Sequence, residues 1–364
     1  MKICRILLLV CFCAKAYAQQ RDSLALKLLE PMGMQEDIGY LKRLLEETHP
    51  GLYRYTSKGQ MLAKFDSILS ESQKPIPFYD FYKLVAGVIA DVHCAHTYSL
   101  PVKEMGYYER NYPAIPFFLF PVQGKLYVLF NFTDDPQVLP GFELVAVNGR
   151  SADSICNILK RYYWADGHIE VAKDAVLQGQ FFNIFYYSFI ERPTSFNLRF
   201  RTLQGDTMNY TVAAQTFSKA VKWLKKNPVN KQMDAWYNKK KEKFPWRLTF
   251  VKDLEATAMI RLDGFGGPGM DTEEKARDAM QQFMDASIEK INKNGTKNLV
   301  IDVRANNGGW DNQGVELFTY LLRSDTAVKY YRRKHSVTDS SAFLQYSDLS
   351  PEDLKNVKAE LLKE

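Results

Sequence analysis

The feature that most constrains this chain is an apolar strand that runs directly into a glycine-rich turn and then into a helix. The stretch LVIDVRANNGGWDNQGVELFTYLL covers residues 299–322. Its first residues are β-branched and continuously apolar, which is typical of a strand buried in a parallel sheet. Its last residues have the periodicity of an amphipathic helix that begins near Asp311 or Asn312. This order predicts an α/β unit with a backbone-lined turn at the end of the strand.

The turn itself is Asn306-Asn307-Gly308-Gly309. Glycine adopts left-handed backbone angles and leaves its N–H uncovered. The N-terminus of the following helix adds unpaired donors and the positive end of a dipole. Such a turn is able to hold an oxyanion while charge develops on a substrate carbonyl. An ordinary Asn-Gly turn without chemistry accounts for these residues equally well at this point.

A second glycine-rich segment, GFGGPG at residues 264–269, matches the GxGxxG pattern of dinucleotide-binding folds between a predicted strand and a predicted helix. Pro268 removes a backbone donor where a pyrophosphate needs one. Asp302, the next acidic residue in the following strand, lies 33 residues after Gly269 and inside that strand. We therefore predict a strand-to-helix loop and no bound cofactor. A dinucleotide oxidoreductase rests on this segment alone.

The first 18 residues predict a secretory signal peptide. Lys2 and Arg5 precede a short apolar run, and Ala16-Tyr17-Ala18 fits the small-x-small cleavage pattern. Cleavage after Ala18 removes three basic residues and lowers the net charge from +6 to +3, which gives no reason to expect a nucleic-acid partner. No later segment is apolar for long enough to span a membrane. We expect an exported, periplasmic protein without a transmembrane segment.

Hydrophobic periodicity divides the rest of the chain. Residues 21–105 predict a helical domain, because apolar residues recur at helical spacing in three stretches, the last being PFYDFYKLVAGVIADVHCAHT. Residues 110–215 alternate with a period of two and contain turn pairs such as Asn148-Gly149, which predicts a mainly β module.

Residues 216–246 are rich in lysine and tryptophan and form a basic connector. A solvated helical segment whose tryptophans pack on a domain accounts for it better than a patch for an anionic surface, since lysine stems shield apolar faces. From residue 247 a strand pair, a helix from Asp271 to Gly295 and the strand of residues 298–304 build a second core. The predicted fold class is a multidomain α+β protein.

The segment ADVHCAHTYSL contains the densest group of reactive side chains. Asp91, His93 and His96 are metal-ligand types, but the histidines lack the glutamate of a His-Glu-x-x-His helix and a third ligand nearby, so we predict no zinc site. Cys94 is a nucleophile type. A buried thiol, or a disulfide with Cys156, accounts for it more simply in an exported chain.

Four motifs resemble, in their order and spacing, those of the C-terminal processing (tail-specific) serine peptidases, above all the exported forms of Bacteroidetes. They are IGYLKRLLEETHPGLYRYTSK, FYKLVAGVIADVHCAHT, PGFELVAVNGRSADSICNIL and LVIDVRANNGGW. The resemblance covers nearly all of the chain after the signal peptide. It implies a helical N-terminal domain, a PDZ-like module near residues 110–165 and, from about residue 247, a catalytic domain with a crotonase-like or ClpP-like spiral of strand-strand-helix units.

The resemblance also implies site residues. A serine attacks the peptide carbonyl, and the base is a lysine or, in the tricorn-protease branch, a histidine; the choice stays open. Backbone N–H groups of Gly308 and Gly309 then form the oxyanion hole, and His96 matches the histidine of the tricorn-like branch. The family has Gly-Asp-Gly-His-Thr around that histidine, and this chain keeps only His96-Thr97.

The nucleophile of the family lies on a Thr-x-Ser-x-Ala turn after an apolar strand, and its expected place falls beyond Glu364. The same letters recur at residues 338–342, but the preceding segment YYRRKHSV is basic, so we expect Ser340 and Ser341 to be surface residues. We therefore expect an incomplete, inactive tail-specific protease-like domain over residues 247–364. Its open sheet edge favours aggregation.

The leading hypothesis is an exported serine endopeptidase that recognises a peptide or protein substrate through its C-terminus. The alternative is a non-catalytic protein of the same fold. In that case the PDZ-like module adds a peptide strand to its sheet edge, or aromatic residues such as FFNIFYYSFI at 181–190 line a site for an apolar ligand. Core packing also accounts for that aromatic run.

Overall fold

The structure of the chain, a computed structural model, describes residues 27–100, 112–237, 244–322, 342–346, 350 and 352. The predicted signal peptide, Ser340 and Ser341 lie outside these residues. The chain divides into two compact units. One comprises Met1–Tyr237 with His335–Glu364, and the other comprises Asn238–Lys334.

The first unit opens with three helices, α1 (Pro31–Thr48), α2 (Lys58–Glu71) and α3 (Phe78–Ala90). Their apolar faces share one core, as the helical spacing of the sequence predicts. Ser57 and Gln60 form a capping box at the start of α2. The short strands β1 (Leu28–Leu29) and β2 (Ile76–Pro77) pair antiparallel.

The helix α3 is shorter than its sequence predicts. Helical periodicity continues through Thr97, but α3 ends at Ala90 and Asp91 forms its C-cap. His93 has a φ of 55°, a left-handed angle that a right-handed helix does not accommodate. His93 and His96 consequently lie on a loop and not on one face of a helix.

Eight strands follow: β3 (Pro113–Ala114), β4 (Phe117–Val122), β5 (Lys125–Asn131), β6 (Glu143–Val147), β7 (Arg150–Ser151), β8 (Ser195–Arg201), β9 (Thr207–Ala213) and β10 (Gln215–Thr216). β3 pairs with β10, and the other six form an antiparallel sheet of order β4-β5-β6-β8-β9, with β7 paired to β6. The turn residues Gln123, Gly124, Asn148 and Gly149 have positive φ angles, which tight hairpins require. The period of two thus predicts these strands correctly.

The remaining helices of this part are α4 (Ala152–Lys160), α5 (Glu170–Val176), α6 (Gly179–Phe189), α7 (Phe217–Ala220), α8 (Trp223–Lys226) and α9 (Lys231–Tyr237), with a 3₁₀ turn at Pro228–Asn230. α6 carries the aromatic run. Phe182, Phe185 and Phe189 are buried in the core of the six-stranded sheet. The cavity beside Gly179 has a volume of about 10 Å³, room for about one water molecule. Core packing therefore accounts for the run in this part of the chain.

The basic connector is fixed to the sheet by asparagines. The Asn131 N–H at the end of β5 donates to Asn230 Oδ1 at 2.8 Å, and Asn230 Nδ2 donates back to the Asn131 carbonyl at 2.8 Å. Both residues are fully buried. Trp236 is 67% exposed, and Trp246 belongs to a strand of the second unit. The expectation that the connector's tryptophans pack back on a domain is wrong for Trp236.

The second unit contains β11 (Trp246–Phe250), β12 (Thr257–Leu262), α10 (Glu273–Lys293), β13 (Asn298–Asp302) and α11 (Asp311–Leu321). β11 pairs antiparallel with β12, and β12 pairs parallel with β13 through the α10 crossover. Ala258, Ile260 and Leu262 are fully buried in one core with the apolar face of α10. A strand-helix-strand-helix order of this kind is the predicted α/β unit.

The start of α10 and the burial of β13 differ from the sequence predictions. Thr272, not Asp271, is the N-cap of α10, and its hydroxyl accepts the Lys275 N–H. The apolar run predicts that β13 is buried on both faces, yet Val300 is 43% exposed. Among the described residues β13 pairs only with β12. Burial on both faces needs a packed layer on each side, and the face that carries Val300 is not fully covered by the described residues.

A 3₁₀ turn at Ala342–Tyr346 belongs to the first unit, and its Phe343 ring packs edge-on against Tyr40 with ring centroids 4.9 Å apart.

None of the helices within the described ranges is long and apolar enough to cross a membrane.

Cys94 and Cys156 are both free thiols, so no disulfide joins them. Burial raises the pKa of the Cys156 thiol to about 12, and the thiolate is the form that reacts. We expect iodoacetamide at mildly alkaline pH to modify Cys94 and to spare Cys156 in the folded protein. Peptide mapping by mass spectrometry measures this, with the protein in concentrated guanidinium chloride as the control in which both react. Equal modification of the two in the folded protein would contradict the burial of Cys156.

His49 makes the first unit sensitive to acid. Its Nδ1 accepts the Gly51 N–H at 3.1 Å, and burial lowers the pKa of its imidazole from the ordinary value of 6.5. The unfolded chain therefore takes up the proton more readily, and stability present above that value is lost as the pH falls. We expect the midpoint of thermal unfolding to fall between about pH 7 and about pH 5, and to fall less in His49→Asn, which keeps an acceptor for Gly51. The same pH dependence in both proteins would rule out His49 as the cause.

Candidate functional site

The two glycine-rich turns, which the sequence presents as competing candidates, lie side by side in the second unit. We call residues 264–269 the first turn and residues 306–309 the second turn. β12 and β13 run parallel, so the turns that follow them leave the sheet at the same edge. Phe265 and Gly309 form a parallel bridge. The Phe265 N–H donates to the Gly308 carbonyl at 2.8 Å, and the Trp310 N–H donates to the Phe265 carbonyl at 2.8 Å.

Gly309 is required at its position by this close approach. Its φ is 136°, and a Cβ on it would lie 1.5 Å from the Phe265 carbonyl oxygen. Gly308 also has a positive φ, of 98°, but a Cβ there would meet nothing within 4 Å. The contact between the two turns therefore depends on the missing side chain of Gly309.

The donors of the second turn differ in what they bind. The Gly308 N–H donates to Asn306 Oδ1 at 2.8 Å. The Gly309 N–H makes no hydrogen bond with any described residue. Asn306 Nδ2 is buried and also lacks a partner there. The turn thus presents one uncovered glycine N–H.

The helix α11 begins directly after the turn, and no side chain caps its N-terminus. Unpaired N–H groups and the positive end of the helix dipole therefore lie beside Gly309. Together with the Gly309 N–H, they form a place where negative charge is stabilised. The sequence predicts oxyanion chemistry for Gly308 and Gly309, and of these two donors the Gly308 N–H is already engaged with Asn306.

Polar side chains hold this helix start against the rest of the unit. The Trp310 indole N–H donates to the Met270 carbonyl at 3.0 Å. Gln313, which is fully buried, donates to the Ala276 carbonyl at 2.7 Å. Trp246 Nε1 donates to the Gly264 carbonyl at 2.8 Å and fixes the first turn in the same way. Both turns are therefore anchored outside their own backbones.

A chain of ion pairs crosses the sheet next to the turns. The Arg304 side chain donates to both carboxylate oxygens of Asp302 at 2.9 Å. Arg261 lies 3.9 Å from Asp302 and 2.6 Å from Asp263, which also pairs with Arg247 at 3.4 Å. The Arg304 guanidinium holds the pKa of the Asp302 carboxyl well below its usual range. Asp302 is therefore ionised, and the arginines paired with it balance its charge. It is not a proton acceptor near neutral pH.

Sequence reasoning missed several of these residues. Asp302 entered it only as an acidic residue in the wrong place for a dinucleotide site, and Phe265 and Asn306 had no assigned role. The pairing of Phe265 with Gly309 depends on which strands are neighbours, and a sequence does not state this. The Asn306 contact did leave a signal, since asparagine two residues before a glycine commonly closes a turn with its own side chain.

His96 lies in the first unit, on the loop after α3, and its side chain is exposed. It makes no hydrogen bond, ion pair or ring contact with the described residues. The loop itself is held by Asp166, whose Oδ1 accepts the Ala95 N–H at 2.8 Å. The neighbouring His93 ring packs against His168 with centroids 4.8 Å apart. Within the described part of the chain, no group of three His, Cys, Asp or Glu side chains is placed to hold a metal ion.

Residues 256–358 match the sequence model of Peptidase family S41. This stretch includes both glycine-rich turns. No curated protein matches the sequence.

Among solved structures the chain is similar to mature CPAF (TM-score 0.44, 12% identity), to mature CPAF complexed with lactacystin (0.45, 14%) and to a Ser-to-Ala mutant of CPAF (0.45, 14%). These alignments cover 77% of this chain. They cover 57%, or for mature CPAF alone 56%, of the other chains, so this chain spans just over half of their length.

A matched set of alanine variants tests the contact between the turns. We expect Gly309→Ala to lower the free energy of unfolding of the second unit by about 3 kcal/mol or more, because its Cβ overlaps the Phe265 carbonyl. Gly308→Ala meets no atom, and we expect only the strain of its positive φ, about 1–2 kcal/mol. Gly269→Ala, with a φ of 80° and nothing within 4 Å, is the control and is expected to resemble Gly308→Ala. Urea unfolding measures all three, and equal losses at 308 and 309 would contradict the structure.

Proposed function

We propose that this protein is a serine-type endopeptidase of the tail-specific kind and that its second unit supplies the oxyanion site. The observation that carries the proposal is the uncovered Gly309 N–H in front of the uncapped helix α11. The match of residues 256–358 to Peptidase family S41 supports it, because the turn lies inside that stretch.

The proposed chemistry follows from where charge develops. When a serine attacks a peptide carbonyl, the carbonyl oxygen becomes negative, and a fixed donor at that place lowers the barrier. Removal of one such donor typically costs about 100- to 1000-fold in kcat. The Gly309 N–H is fixed by the Phe265 bridge, so little reorganisation is needed at the moment of reaction. The reaction requires no cofactor.

Ser340 and Ser341 lie outside the described residues, and we assign no serine as the nucleophile. We propose His96 as the base of the tricorn-like type, on the resemblance of His96-Thr97 alone. A base acts only when it reaches the nucleophile within hydrogen-bond distance. An exposed side chain such as His96 is available for that contact.

We propose that the substrate is a peptide or protein held by its C-terminus at an edge of the six-stranded sheet. β9 is an edge strand whose residues are mostly exposed, and it has no partner on its outer side within the described residues. Addition of an extended peptide to such an edge gives main-chain hydrogen bonds without a preformed pocket. We propose that residues 110–215, which include this sheet, form a PDZ-like module.

We also propose that the mature protein is exported and periplasmic after cleavage following Ala18. N-terminal sequencing of the protein purified from its own cells tests this directly. A first residue of Gln19 is the expected result, and an intact N-terminal Met1 would refute it.

Hydrolysis by the protein purified from its own cells tests the main proposal. We expect cleavage of unfolded protein or of peptides with varied C-termini, and labelling of one serine by a fluorophosphonate, with the site mapped by mass spectrometry. Gly309→Ala keeps the backbone N–H, but its Cβ overlaps the Phe265 carbonyl and displaces that donor, so kcat should fall by about 100-fold or more. Gly269→Ala is the control for the strain of a positive φ alone, because Gly269 has a φ of 80°, has nothing within 4 Å of its Cβ position and lies outside the second turn.

One outcome would overturn the peptidase proposal, and another would overturn the assignment of the oxyanion site. Saturable binding of C-terminal peptides without turnover would favour the non-catalytic alternative, in which the same sheet edge binds peptides. Hydrolysis that survives Gly309→Ala in a folded protein would place the oxyanion elsewhere.

A further inference from the structure

The side chain of Asn306 lies inside the second turn and occupies one of its donors. Its Oδ1 accepts the Gly308 N–H at 2.8 Å. Its backbone N–H donates to the Val303 carbonyl at 2.9 Å, which fixes the residue at the end of the strand. The Gly309 N–H is left without a partner among the described residues. The Asn306 carboxamide therefore fixes the direction of the Gly308 N–H.

The nitrogen end of the same carboxamide makes no hydrogen bond. Asn306 Nδ2 is buried and unpartnered within the described residues, which destabilises the folded protein. An aspartate would accept the same Gly308 N–H, since Asp and Asn close such turns alike. It would, however, place a second, charged oxygen where Asn306 Nδ2 is buried without a partner among the described residues. The turn is thus built with a neutral acceptor although a charged one fits the hydrogen bond.

We propose that Asn306 is a positioning residue for the peptidase reaction: it turns the Gly308 N–H inward, leaves the Gly309 N–H as the donor to the oxyanion, and does both without a negative charge. The inference rests on the proposed function. It goes further by assigning the two glycines different roles, one structural and one chemical, and by giving the reason for an amide at this position.

The charged groups on the neighbouring elements are consistent with a site that receives an anion. Asp302 at the end of β13 is paired with Arg304 and with Arg261 of β12. Asp311 at the start of α11 is exposed, and solvent and salt screen its charge. A carboxylate at position 306 would be buried next to the Gly308 N–H. Neither a paired arginine nor screening by solvent would offset its charge. Its charge would act on the oxyanion directly.

Three variants of the protein purified from its own cells test the inference. Asn306→Asp keeps the acceptor and adds the charge, Asn306→Ala removes the acceptor, and Asn298→Asp adds the same charge at the exposed start of β13 as the control. The measurements are kcat and KM, the midpoint of thermal unfolding, and amide hydrogen exchange of Gly308 and Gly309 by NMR.

We expect slow exchange at Gly308 and fast exchange at Gly309 in the unaltered protein. Asn306→Asp should keep both exchange rates and should lower the midpoint of thermal unfolding, because its carboxylate is buried without a partner. It should lower kcat on the order of 100-fold at neutral pH with KM little changed. Part of that loss should return as the pH is lowered and the new carboxyl takes up a proton. Asn306→Ala should make Gly308 exchange as fast as Gly309. Asn298→Asp should change none of these quantities.

The outcomes separate this inference from the proposed function. An Asn306→Asp protein within twofold of the unaltered kcat overturns the role of charge, and equal exchange of the two glycine amides overturns the assigned hydrogen bond. If Asn306→Asp does not fold, Asn306→Ser replaces it, since a neutral acceptor should retain activity well above that of Asn306→Ala. If the unaltered protein hydrolyses nothing, the proposed function fails, and the exchange rates alone decide whether Asn306 holds Gly308.

Discussion

The second unit depends on one backbone contact, the bridge between Phe265 and Gly309. It exists because β12 and β13 are parallel neighbours and because residue 309 is a glycine. A Cβ on residue 309 would lie only 1.5 Å from the Phe265 carbonyl oxygen. The bridge sets the position of Gly309, and the next residue, Trp310, continues it by donating to the same carbonyl. α11 begins one residue later. The direction of the helix N-terminus and of the free N–H thus follows from a single pairing of two turns.

Much of the fold was predictable from sequence, because it is set by residues close together in the chain. The three opening helices, the Asn148-Gly149 hairpin and the glycine end of α10 at Gly295 follow from local periodicity and turn chemistry. The failures have non-local causes. α3 stops at Ala90 although its apolar spacing continues, and β13 is exposed at Val300 because burial depends on which layers cover a strand. A sequence pattern states the preference of a segment and does not identify its partners.

The candidate site divides in the same way. Gly308 and Gly309 were predictable because two glycines between an apolar strand and a helix indicate a turn with an uncovered backbone. The bridge to Phe265 was not predictable, because GFGGPG resembles a rival site and its partner lies about forty residues away. In the structure this segment instead provides a backbone that lies against the backbone of the second turn. The GxGxxG pattern and the contact between the two turns depend on the same property of glycine, the absence of a side chain where two chain segments meet.

The electrostatic arrangement around the turn shows why it suits an anion better than its composition suggests. Two carboxylates, Asp302 and Asp263, lie near it, but three arginines pair with them and leave the group with a net positive charge. The pKa of Asp302 is held low, so this carboxylate stays ionised and does not compete for a substrate proton. The acceptor inside the turn is the neutral amide of Asn306, and its unsatisfied Nδ2 destabilises the fold. An aspartate would bury an unpaired negative charge beside the Gly309 N–H, and the neutral amide of Asn306 avoids this. Under the proposed function, the same neutral amide also keeps a like charge away from the developing oxyanion.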